Sequence, residues 1–325
     1  GLTLRRLTYN SVDDWATAIS GSGNRVAFVS PVGPGGTSEL YVINTDGTGL
    51  TRLTHNSVTE EGDGISYDGT KIAFSSETGP GNTYEVYVIN SDRSGLRRLT
   101  FNAVNDFANG ISYDGGKVVF TSQSGPGGTS EVYVINTDCT GLPRLTYNSI
   151  DDYAAGISGD GNWVVFNSYI GPPDIYGQPT VEVFVIKSDS TGLRRLTYNT
   201  LNEWAAGISS DGYRIAFHIA TGPGGTNEVY VINRDSSGLR RLTFNSVDDF
   251  AAAISGNGAR VLFGCQVAPG NYEVYAINSD GTGLQRLTYN SVYDWARDIS
   301  HLGNQVVFTS HSGPGGTREV YVITL

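Results

Sequence analysis

Short runs of hydrophobic residues, each about five or six residues long, recur along the whole chain and are separated by turn residues. The second run of each unit is almost entirely apolar, as at 26–28 (Val-Ala-Phe) and 118–120 (Val-Val-Phe). Continuous apolar runs of this length are typical of strands that are buried on both faces. The Gly, Asp and Asn residues between the runs, as at 67–69 (Tyr-Asp-Gly), favour tight hairpin turns. The pattern therefore predicts an all-β chain of antiparallel strands.

The strands are grouped in a unit that repeats seven times. The tripeptide Arg-Leu-Thr marks the fourth strand of each unit, and its threonine falls at Thr8, Thr54, Thr100, Thr146, Thr197, Thr243 and Thr288. The successive spacings are 46, 46, 46, 51, 46 and 45 residues. A period in this range with four strands per unit indicates the blades of a β-propeller.

The two ends of the sequence indicate how the ring closes. Residues 4–8 form a fourth strand that no first three strands precede, and residues 319–325 form a third strand that no fourth strand follows. Joining them completes the last blade and removes two open edges. We therefore expect residues 1–325 to form a single domain, a seven-bladed β-propeller of four-stranded antiparallel blades. The N-terminal strand should join the C-terminal blade.

The repeat resembles that of the TolB-type (WD-like) propellers. The resemblance lies in Ser-x-Asp-Gly at 66–69, Ile-Ala-Phe at 72–74, Glu-Val-Tyr-Val-Ile-Asn-x-Asp at 85–92 and Arg-Arg-Leu-Thr at 97–100. It covers essentially the whole chain and implies the propeller fold. Propellers of this type include periplasmic binding domains, gating domains of peptidases, and lyases, so the resemblance leaves the activity open. The family's Pro-x-Trp is absent, and Ile65, Ile111 and Ile208 stand where its Trp would be.

The net charge of the chain limits the classes of molecule that it is expected to bind. Acidic residues outnumber basic ones 32 to 21, which gives a net charge of −11. Nucleic acids and anionic lipids require basic patches, so we expect neither as a partner. No apolar run is long enough to cross a membrane. Cations, basic proteins and neutral ligands such as sugars remain compatible with the charge.

A conserved feature of the seven copies is the loop that crosses from one blade to the next. It ends in an acidic residue in every copy: Asp14, Glu60, Asp106, Asp152, Glu203, Asp249 and Asp294. The next residue is aromatic in six copies, with Glu61 as the exception: Trp15, Phe107, Tyr153, Trp204, Phe250 and Trp295. One interpretation is a ring of carboxylates and aromatic rings around the channel mouth, where carboxylates suit calcium and aromatic faces suit sugars or basic side chains. The other is that the acids cap the loops and the aromatic rings wedge between blades.

Glutamate and arginine also recur in every copy. Glutamate begins each third strand (Glu39, Glu85, Glu131, Glu182, Glu228, Glu273, Glu319), and arginine lies on each fourth strand (Arg6, Arg52, Arg98, Arg144, Arg195, Arg241, Arg286). Strand parity allows each pair to share a face, so we expect cross-strand ion pairs that stabilise the blades.

Positions at which the copies differ are better candidates for a site. Two residues before the inner-strand isoleucine, the copies carry Thr17, Asp63, Asn109, Ala155, Ala206, Ala252 and Arg297. Asp298 adds a charge in the last copy. If this position faces the channel, blades seven, one, two and three form a polar side of the channel. Blades four to six then form an apolar side. The alternative is that these differences arose by sequence drift at solvent-exposed positions.

The fourth copy contains five extra residues. They fall in the loop 168–180, which includes Ile170, Pro172, Pro173, Ile175, Tyr176 and Pro179. These residues form either an exposed contact surface or a patch that packs on the neighbouring blade.

These observations lead to two hypotheses about function. The first is a monomeric, non-catalytic module of a secreted, periplasmic or cell-surface protein that binds a protein or carbohydrate ligand at the channel mouth. The second is a propeller enzyme such as a polysaccharide lyase or hydrolase. The four histidines lack metal-ligand spacing and no catalytic motif appears, so only Arg297, His55 and Asp63 are candidates for catalysis. A tight cluster of unlike polar residues at one spot in the mouth would favour the enzyme.

Overall fold

Seven separate β-sheets make up the computed structural model, which describes residues 2–173 and 177–325. The chain begins with β1 (Thr3–Arg6), which belongs to the seventh blade. Blade one contains β2 (Trp15–Ile19), β3 (Arg25–Ser30), β4 (Glu39–Asn44) and β5 (Thr51–Arg52). Blade two contains β6 (Glu60–Ile65), β7 (Lys71–Ser76), β8 (Glu85–Asn90) and β9 (Arg97–Arg98). Blade three contains β10 (Asp106–Ile111), β11 (Lys117–Ser122) and β12 (Glu131–Asn136), and a single bridge from Tyr133 to Arg144 stands for its fourth strand.

The other four blades repeat this order. Blade four contains β13 (Asp152–Ile157), β14 (Trp163–Ser168), β15 (Glu182–Lys187) and β16 (Arg194–Arg195). Blade five contains β17 (Glu203–Ile208), β18 (Arg214–Ile219), β19 (Glu228–Asn233) and β20 (Arg240–Arg241). Blade six contains β21 (Asp249–Ile254), β22 (Arg260–Ala268), β23 (Asn271–Asn278) and β24 (Gln285–Arg286). Blade seven contains β25 (Asp294–Ile299), β26 (Gln305–Ser310) and β27 (Glu319–Thr324).

Helical structure in the described part of the chain is limited to short 3₁₀ turns at Pro34–Gly36, Pro126–Gly128, Pro223–Gly225 and Pro314–Gly316. These turns lie in the loops between second and third strands. Within residues 2–173 and 177–325, no helix is long and apolar enough to span a membrane.

The seventh blade is closed by the first strand of the chain. Strand β1 pairs antiparallel with β27, so that Leu4 lies opposite Ile323 and Arg6 opposite Tyr321. The Leu7 amide continues the pairing and donates to the Val320 carbonyl at 2.8 Å. The predicted seven-bladed architecture and its closure by the N-terminal strand are thus confirmed.

The hydrophobic core lies between blades. Leu40 and Leu53 of blade one pack in one cluster with Ile72 and Phe74 of blade two, and all four side chains are at most 4% exposed. The apolar second strands face a neighbour on each side, which is why they lack the alternating pattern of half-exposed strands. Each blade therefore depends on its neighbours for burial of its apolar surface.

The predicted ion pairs are present at all seven positions. Within blade seven, Arg6 Nη2 lies 2.7 Å from Glu319 Oε1, and Thr8 Oγ1 donates to Glu319 Oε2 at 2.6 Å. The Val320 amide in turn donates to Thr8 Oγ1 at 2.9 Å. The same ion pair joins Arg52 to Glu39, Arg98 to Glu85, Arg144 to Glu131, Arg195 to Glu182, Arg241 to Glu228 and Arg286 to Glu273. Removing one partner would leave a buried charge without its counter-ion.

Candidate ligand-binding site

A β-bulge in each innermost strand directs one side chain out of the ladder. In blade two, Gly62 pairs with Phe74 and Gly64 with Ala73, so Asp63 has no partner across the strand pair. The register skips the equivalent residue in the other blades as well: Thr17, Asn109, Ala155, Ala206, Ala252 and Arg297. These are the seven variable positions singled out in the sequence. A bulged residue is unpaired in the ladder, so its side chain can point in a different direction. Its identity can also change from copy to copy without disturbing the strand pairing.

The bulged residues face the central channel. All of them except Ala155 line a cavity of about 230 Å³ that residues from the seven innermost strands surround. Among the bulged residues that line it, the polar ones come from blades seven, one, two and three, whereas blades five and six contribute Ala206 and Ala252. We call Thr17, Asp63, Asn109 and Arg297 the polar belt.

Arg297 is the cation of the polar belt. Its Nε donates to the Ala16 carbonyl at 2.7 Å, and its guanidinium lies 5.6 Å from the centre of the Trp295 ring. Burial lowers the pKa of Arg297, and the charges of Asp63 and Asp298 oppose this change. No acidic oxygen of the described residues lies within 4.0 Å of the guanidinium. Its two Nη groups therefore keep donors that a ligand can use.

Asp63 is the acid of the polar belt. Its Oδ2 accepts a hydrogen bond from Ser75 Oγ at 3.0 Å. Burial raises the pKa of Asp63 well above its usual value, the Ser75 bond opposes the rise, and the charge of Glu61 adds to it. A carboxyl group with a raised pKa can serve as a hydrogen-bond donor as well as an acceptor.

Asp298, which follows Arg297 in the sequence, accepts hydrogen bonds from the backbone. Its Oδ2 accepts from the Ile19 amide at 2.9 Å and its Oδ1 from the Ile299 amide at 2.8 Å. Burial nevertheless raises the pKa of Asp298 to about 6. Because both oxygens accept backbone hydrogen bonds, Asp298 links blade seven to blade one. It contributes its charge to the channel more than a direct contact with a ligand.

Thr17 and Asn109 complete the belt. Thr17 donates to the Ala27 carbonyl at 3.0 Å, and Asn109 Oδ1 accepts from Thr121 Oγ1 at 2.8 Å. The amide nitrogen of Asn109 remains a donor toward the channel.

One end of the channel is covered by three rings. Tyr67, Tyr113 and His301 occupy the variable position of the Ser-x-Asp-Gly turn, at the far end of the innermost strands from the crossing loops. Their ring centres lie 5.2 to 5.7 Å apart. The other four blades have Gly21, Gly159, Ser210 and Gly256 there. A Cβ on Gly256 would come within 2.0 Å of the Tyr113 hydroxyl, so the small residues leave the space that the rings fill. We call Tyr67, Tyr113 and His301 the plug.

Backbone hydrogen bonds around the plug connect all seven blades. The Tyr67 amide donates to Tyr113, the Tyr113 amide to Gly159, and the His301 amide to Gly21, at 2.9 to 3.0 Å. Four further bonds close the ring: Ser22 to Tyr67, Asp160 to Ser210, Ser210 to Gly256 and Asn257 to His301. The plugged end is therefore held by all blades, and the opposite end is the mouth of the channel.

The mouth is bordered by a crescent of aromatic side chains. Neighbouring rings of the crescent have their centres 5.2 to 6.4 Å apart. One group of contacting rings consists of Trp15, Trp295, Tyr293, Tyr272, Phe250 and His218. A second group consists of Trp204, Tyr169 and Tyr153. A cavity of about 590 Å³ lies between this crescent and the polar belt. Trp295 is 46% exposed. Burial lowers the pKa of His218 to about 4, so this member of the crescent is neutral at pH 7.

The loop acids lie in the interior instead of on the mouth. Asp14, Glu60, Asp106, Asp152, Glu203, Asp249 and Asp294 are all 0% or 1% exposed. In the first copy Asn10 Nδ2 donates to Asp14 Oδ2 at 2.6 Å, and burial raises the pKa of Asp14. This placement supports the interpretation that the acids brace the crossing loops. Their role as ligands for calcium or another molecule stays a prediction. In the described parts of the chain, no group of three or more His, Cys, Asp or Glu residues is arranged to hold a metal ion.

The structure brings together most of the other predicted residues and adds several. Trp15, Trp204 and Trp295 lie in the crescent, and Asp63, Asn109 and Arg297 in the belt. The plug, Tyr272 and Tyr293 were missed, although Tyr, Tyr and His against Gly in the Ser-x-Asp-Gly turns were a visible signal. Of the loop 168–180, Ile170 is 45% exposed, whereas Ile175 and Tyr176 lie outside the described residues.

Comparison with known proteins identifies the architecture alone. No family model matches the chain, and no curated protein does. Among solved structures, an oligogalacturonate lyase from Vibrio parahaemolyticus has a TM-score of 0.71 at 14% identity, over 99% of this chain and 93% of that one. A putative TolB from Agrobacterium tumefaciens has a TM-score of 0.58 at 19% identity, over 88% and 98%. TolB from Acinetobacter baumannii has a TM-score of 0.57 at 21% identity, over 81% of this chain and 63% of that protein. These proteins share the propeller fold.

Proposed function

We propose that this chain is a non-catalytic module that binds a protein or carbohydrate ligand through the mouth of its channel. The observation that carries the proposal is the combination of a plugged end, a belt with unoccupied polar groups, and an aromatic mouth. A ligand that enters past the crescent meets Arg297, Asp63 and Asn109 on one wall and alanines on the other. It should lean toward the polar wall, because an apolar wall cannot replace the hydrogen bonds to water that the ligand loses.

We further propose that the module acts as a monomer outside the cytoplasm, in a secreted, periplasmic or cell-surface protein. The resemblance to TolB-type repeats supports this location.

Tryptophan fluorescence provides a direct binding test. Three of the four tryptophans, Trp15, Trp204 and Trp295, lie in the crescent, so a ligand in the mouth should change the emission. The probes are cellohexaose, xylohexaose, tetragalacturonate and a lysine-rich decapeptide. We expect saturable binding of at least one probe, weakened about tenfold by Arg297→Ala, since a lost charged hydrogen bond costs about 1.5–3 kcal/mol. Ala252→Ser is the matched control on the apolar wall. Equal effects of both changes would contradict the proposal.

The polar belt also favours a second candidate function. Asp63 and Arg297 form a cluster of unlike polar residues at one spot, which is the arrangement that we expect of a propeller lyase or hydrolase. A buried carboxyl with a raised pKa near a guanidinium is suited to general acid–base catalysis. If the chain is such an enzyme, incubation with polygalacturonate or xylan releases new reducing ends. Asp63→Asn should abolish that release, whereas the binding module releases none.

A further inference from the structure

The outer rim of the propeller carries a repeated set of exposed aromatic rings. Each ring directly follows an Arg-Leu-Thr tripeptide, in six of the seven copies: Tyr9, Phe101, Tyr147, Tyr198, Phe244 and Tyr289. Their exposed fractions lie between 70% and 74%. His55 takes this position in the remaining copy. Such rings bury little surface in the fold, so packing within the blade does not account for them.

An arginine fixes each of these rings. The guanidinium carbon lies 4.6 to 4.9 Å from the ring centre in all six pairs. In the first pair, Arg6 is itself held by Glu319 at 2.7 Å and by the Thr8 carbonyl at 2.6 Å. The guanidinium covers one face of the Tyr9 ring, and the opposite face remains open to solvent. We call these six arginine-backed rings the rim platforms.

The first rim platform borders a groove between blades seven and one. The groove has a volume of about 580 Å³, and Tyr9, Tyr41, Val32 and Leu50 line it. In blade two, Thr78 occupies the place of Val32 and pairs with the Tyr87 hydroxyl at 2.8 Å. Val32 cannot form that bond, so the Tyr41 hydroxyl has no partner among the described residues. The groove therefore combines an open aromatic face, apolar side chains and a free hydroxyl.

We infer that the rim platforms bind a neutral polysaccharide at several points along its length. A sugar residue offers an apolar C–H face for the ring and hydroxyl groups for a donor such as Tyr41. The net charge of −11 opposes binding of acidic polymers. One shallow platform would bind weakly. A polymer that contacts several equivalent platforms gains apparent affinity of about 10²- to 10⁴-fold.

Affinity electrophoresis through gels that contain laminarin, galactomannan, xyloglucan or polygalacturonate tests this inference. We expect at least one neutral polymer to retard the protein and polygalacturonate not to. Tyr9→Ser alone should weaken retardation about twofold, and Tyr147→Ser, Tyr198→Ser and Phe244→Ser together by more. Replacing all six rings by Ser should reduce apparent affinity at least tenfold, as the multivalent mechanism requires. Because the rings are exposed, the circular dichroism and melting temperature should stay close to those of the unchanged protein.

Leu302→Ser is the matched control, because it removes an exposed apolar side chain at the plugged end and leaves the rim and the mouth unchanged. The inference is overturned if no neutral polymer retards the protein, if the six-ring variant binds as before, or if Leu302→Ser weakens binding as much as the six-ring variant does. It is also overturned if sedimentation shows an oligomer that the six-ring variant dissociates, since the platforms would then contact a second copy. Failure of the channel proposal leaves these outcomes unaffected.

Discussion

At the scale of single residues, the loop acid of blade five differs from its counterparts. Ile219 lies opposite Glu203, where blades two, three, four and seven place a serine opposite the acid. Glu203 still accepts a hydrogen bond from Asn199. Burial, followed by the charge of Glu182, raises the pKa of Glu203 to about 8. The unfolded chain would ionise this carboxyl near its ordinary pKa, so the folded state holds the proton more tightly.

This difference predicts a pH dependence of stability. An acid with a raised folded pKa contributes its full stability below the unfolded pKa, about 4.5, and loses that stability as the pH rises through about 8. Glu203→Gln keeps the acceptor oxygen and removes the charge. We expect the variant to match the unchanged protein at pH 5 and to exceed it at pH 9 by about 1–3 kcal/mol. Urea unfolding at both pH values measures the difference.

Asp106→Asn is the control for Glu203→Gln. Asp106 faces Ser122; burial raises its pKa, and the hydrogen bonds of Ser122 and Asn102 oppose that rise. Its substitution should therefore change the stability less between pH 7 and pH 9. Parallel stability curves for Glu203→Gln and the unchanged protein would show that Glu203 is ionised in the folded state.

At the scale of elements, the turns between third and fourth strands adopt a backbone that most residues disfavour. Four of these turns place a non-glycine residue at φ between 67° and 74°: Arg93, Cys139, Ser190 and Ser236. The equivalent Gly47 and Gly281 occupy the same region at 84° and 82°. A side chain in the left-handed region costs about 1–2 kcal/mol, part of which the greater freedom of glycine in the unfolded chain offsets.

Glycine at these four turns should therefore stabilise the propeller. Each of Arg93→Gly, Cys139→Gly, Ser190→Gly and Ser236→Gly is expected to raise the free energy of unfolding by about 0.5–1 kcal/mol. The reverse change Gly47→Ser should lower it by a similar amount. Chemical denaturation of the six proteins, including the unchanged chain, provides the comparison. A fall in stability for the four glycine variants would mean that their side chains make contacts that outweigh the strain.

A second prediction at the scale of elements concerns the turns between first and second strands. A Cβ on Gly21 would lie 2.4 Å from the Tyr67 ring, so Gly21→Ala has to displace part of the plug. We expect a loss of about 1–3 kcal/mol, as overpacking typically costs. The same change in a Tyr67→Ala background should cost clearly less, which a double-mutant cycle by urea unfolding measures. Equal losses in both backgrounds would show that the plug does not depend on Gly21.

At the scale of the whole molecule, the fold could be predicted from the sequence and the site only partly. The 46-residue period and the buried second strands specify seven blades, because duplicated copies keep the same alternation of strand and turn. The polar belt could be found because Asp63 and Arg297 interrupt a repeated pattern. The burial of Asp14 and its six counterparts was one of two interpretations that the sequence left open, since a repeated acid gives the same pattern on the surface as between blades. The plug depends on rings from blades two, three and seven meeting across the axis, which no single repeat encodes.

Closure of the ring predicts how strongly the blades depend on one another. The N-terminal residues supply three contacts: Arg6 pairs with Glu319, Thr8 accepts from the Val320 amide, and Leu7 packs in the core between blades seven and one. Deleting residues 1–8 removes all three contacts and leaves the edge of β27 unpaired. We expect most of the stability of the whole propeller to be lost, because each blade buries its apolar surface against its neighbours. Thermal unfolding followed by circular dichroism measures the loss.

A peptide added in trans separates closure from other effects of the deletion. The peptide Leu-Thr-Leu-Arg-Arg-Leu-Thr, residues 2–8, should bind the open blade and raise the melting temperature of the truncated chain with increasing concentration, since a ligand of the folded state stabilises it by mass action. A peptide with Arg6→Ala should act more weakly, because Glu319 would stay buried without its partner. A truncated chain that melts within a few degrees of the intact protein, or one on which both peptides have the same effect, would show that the ring does not need β1 for its cohesion.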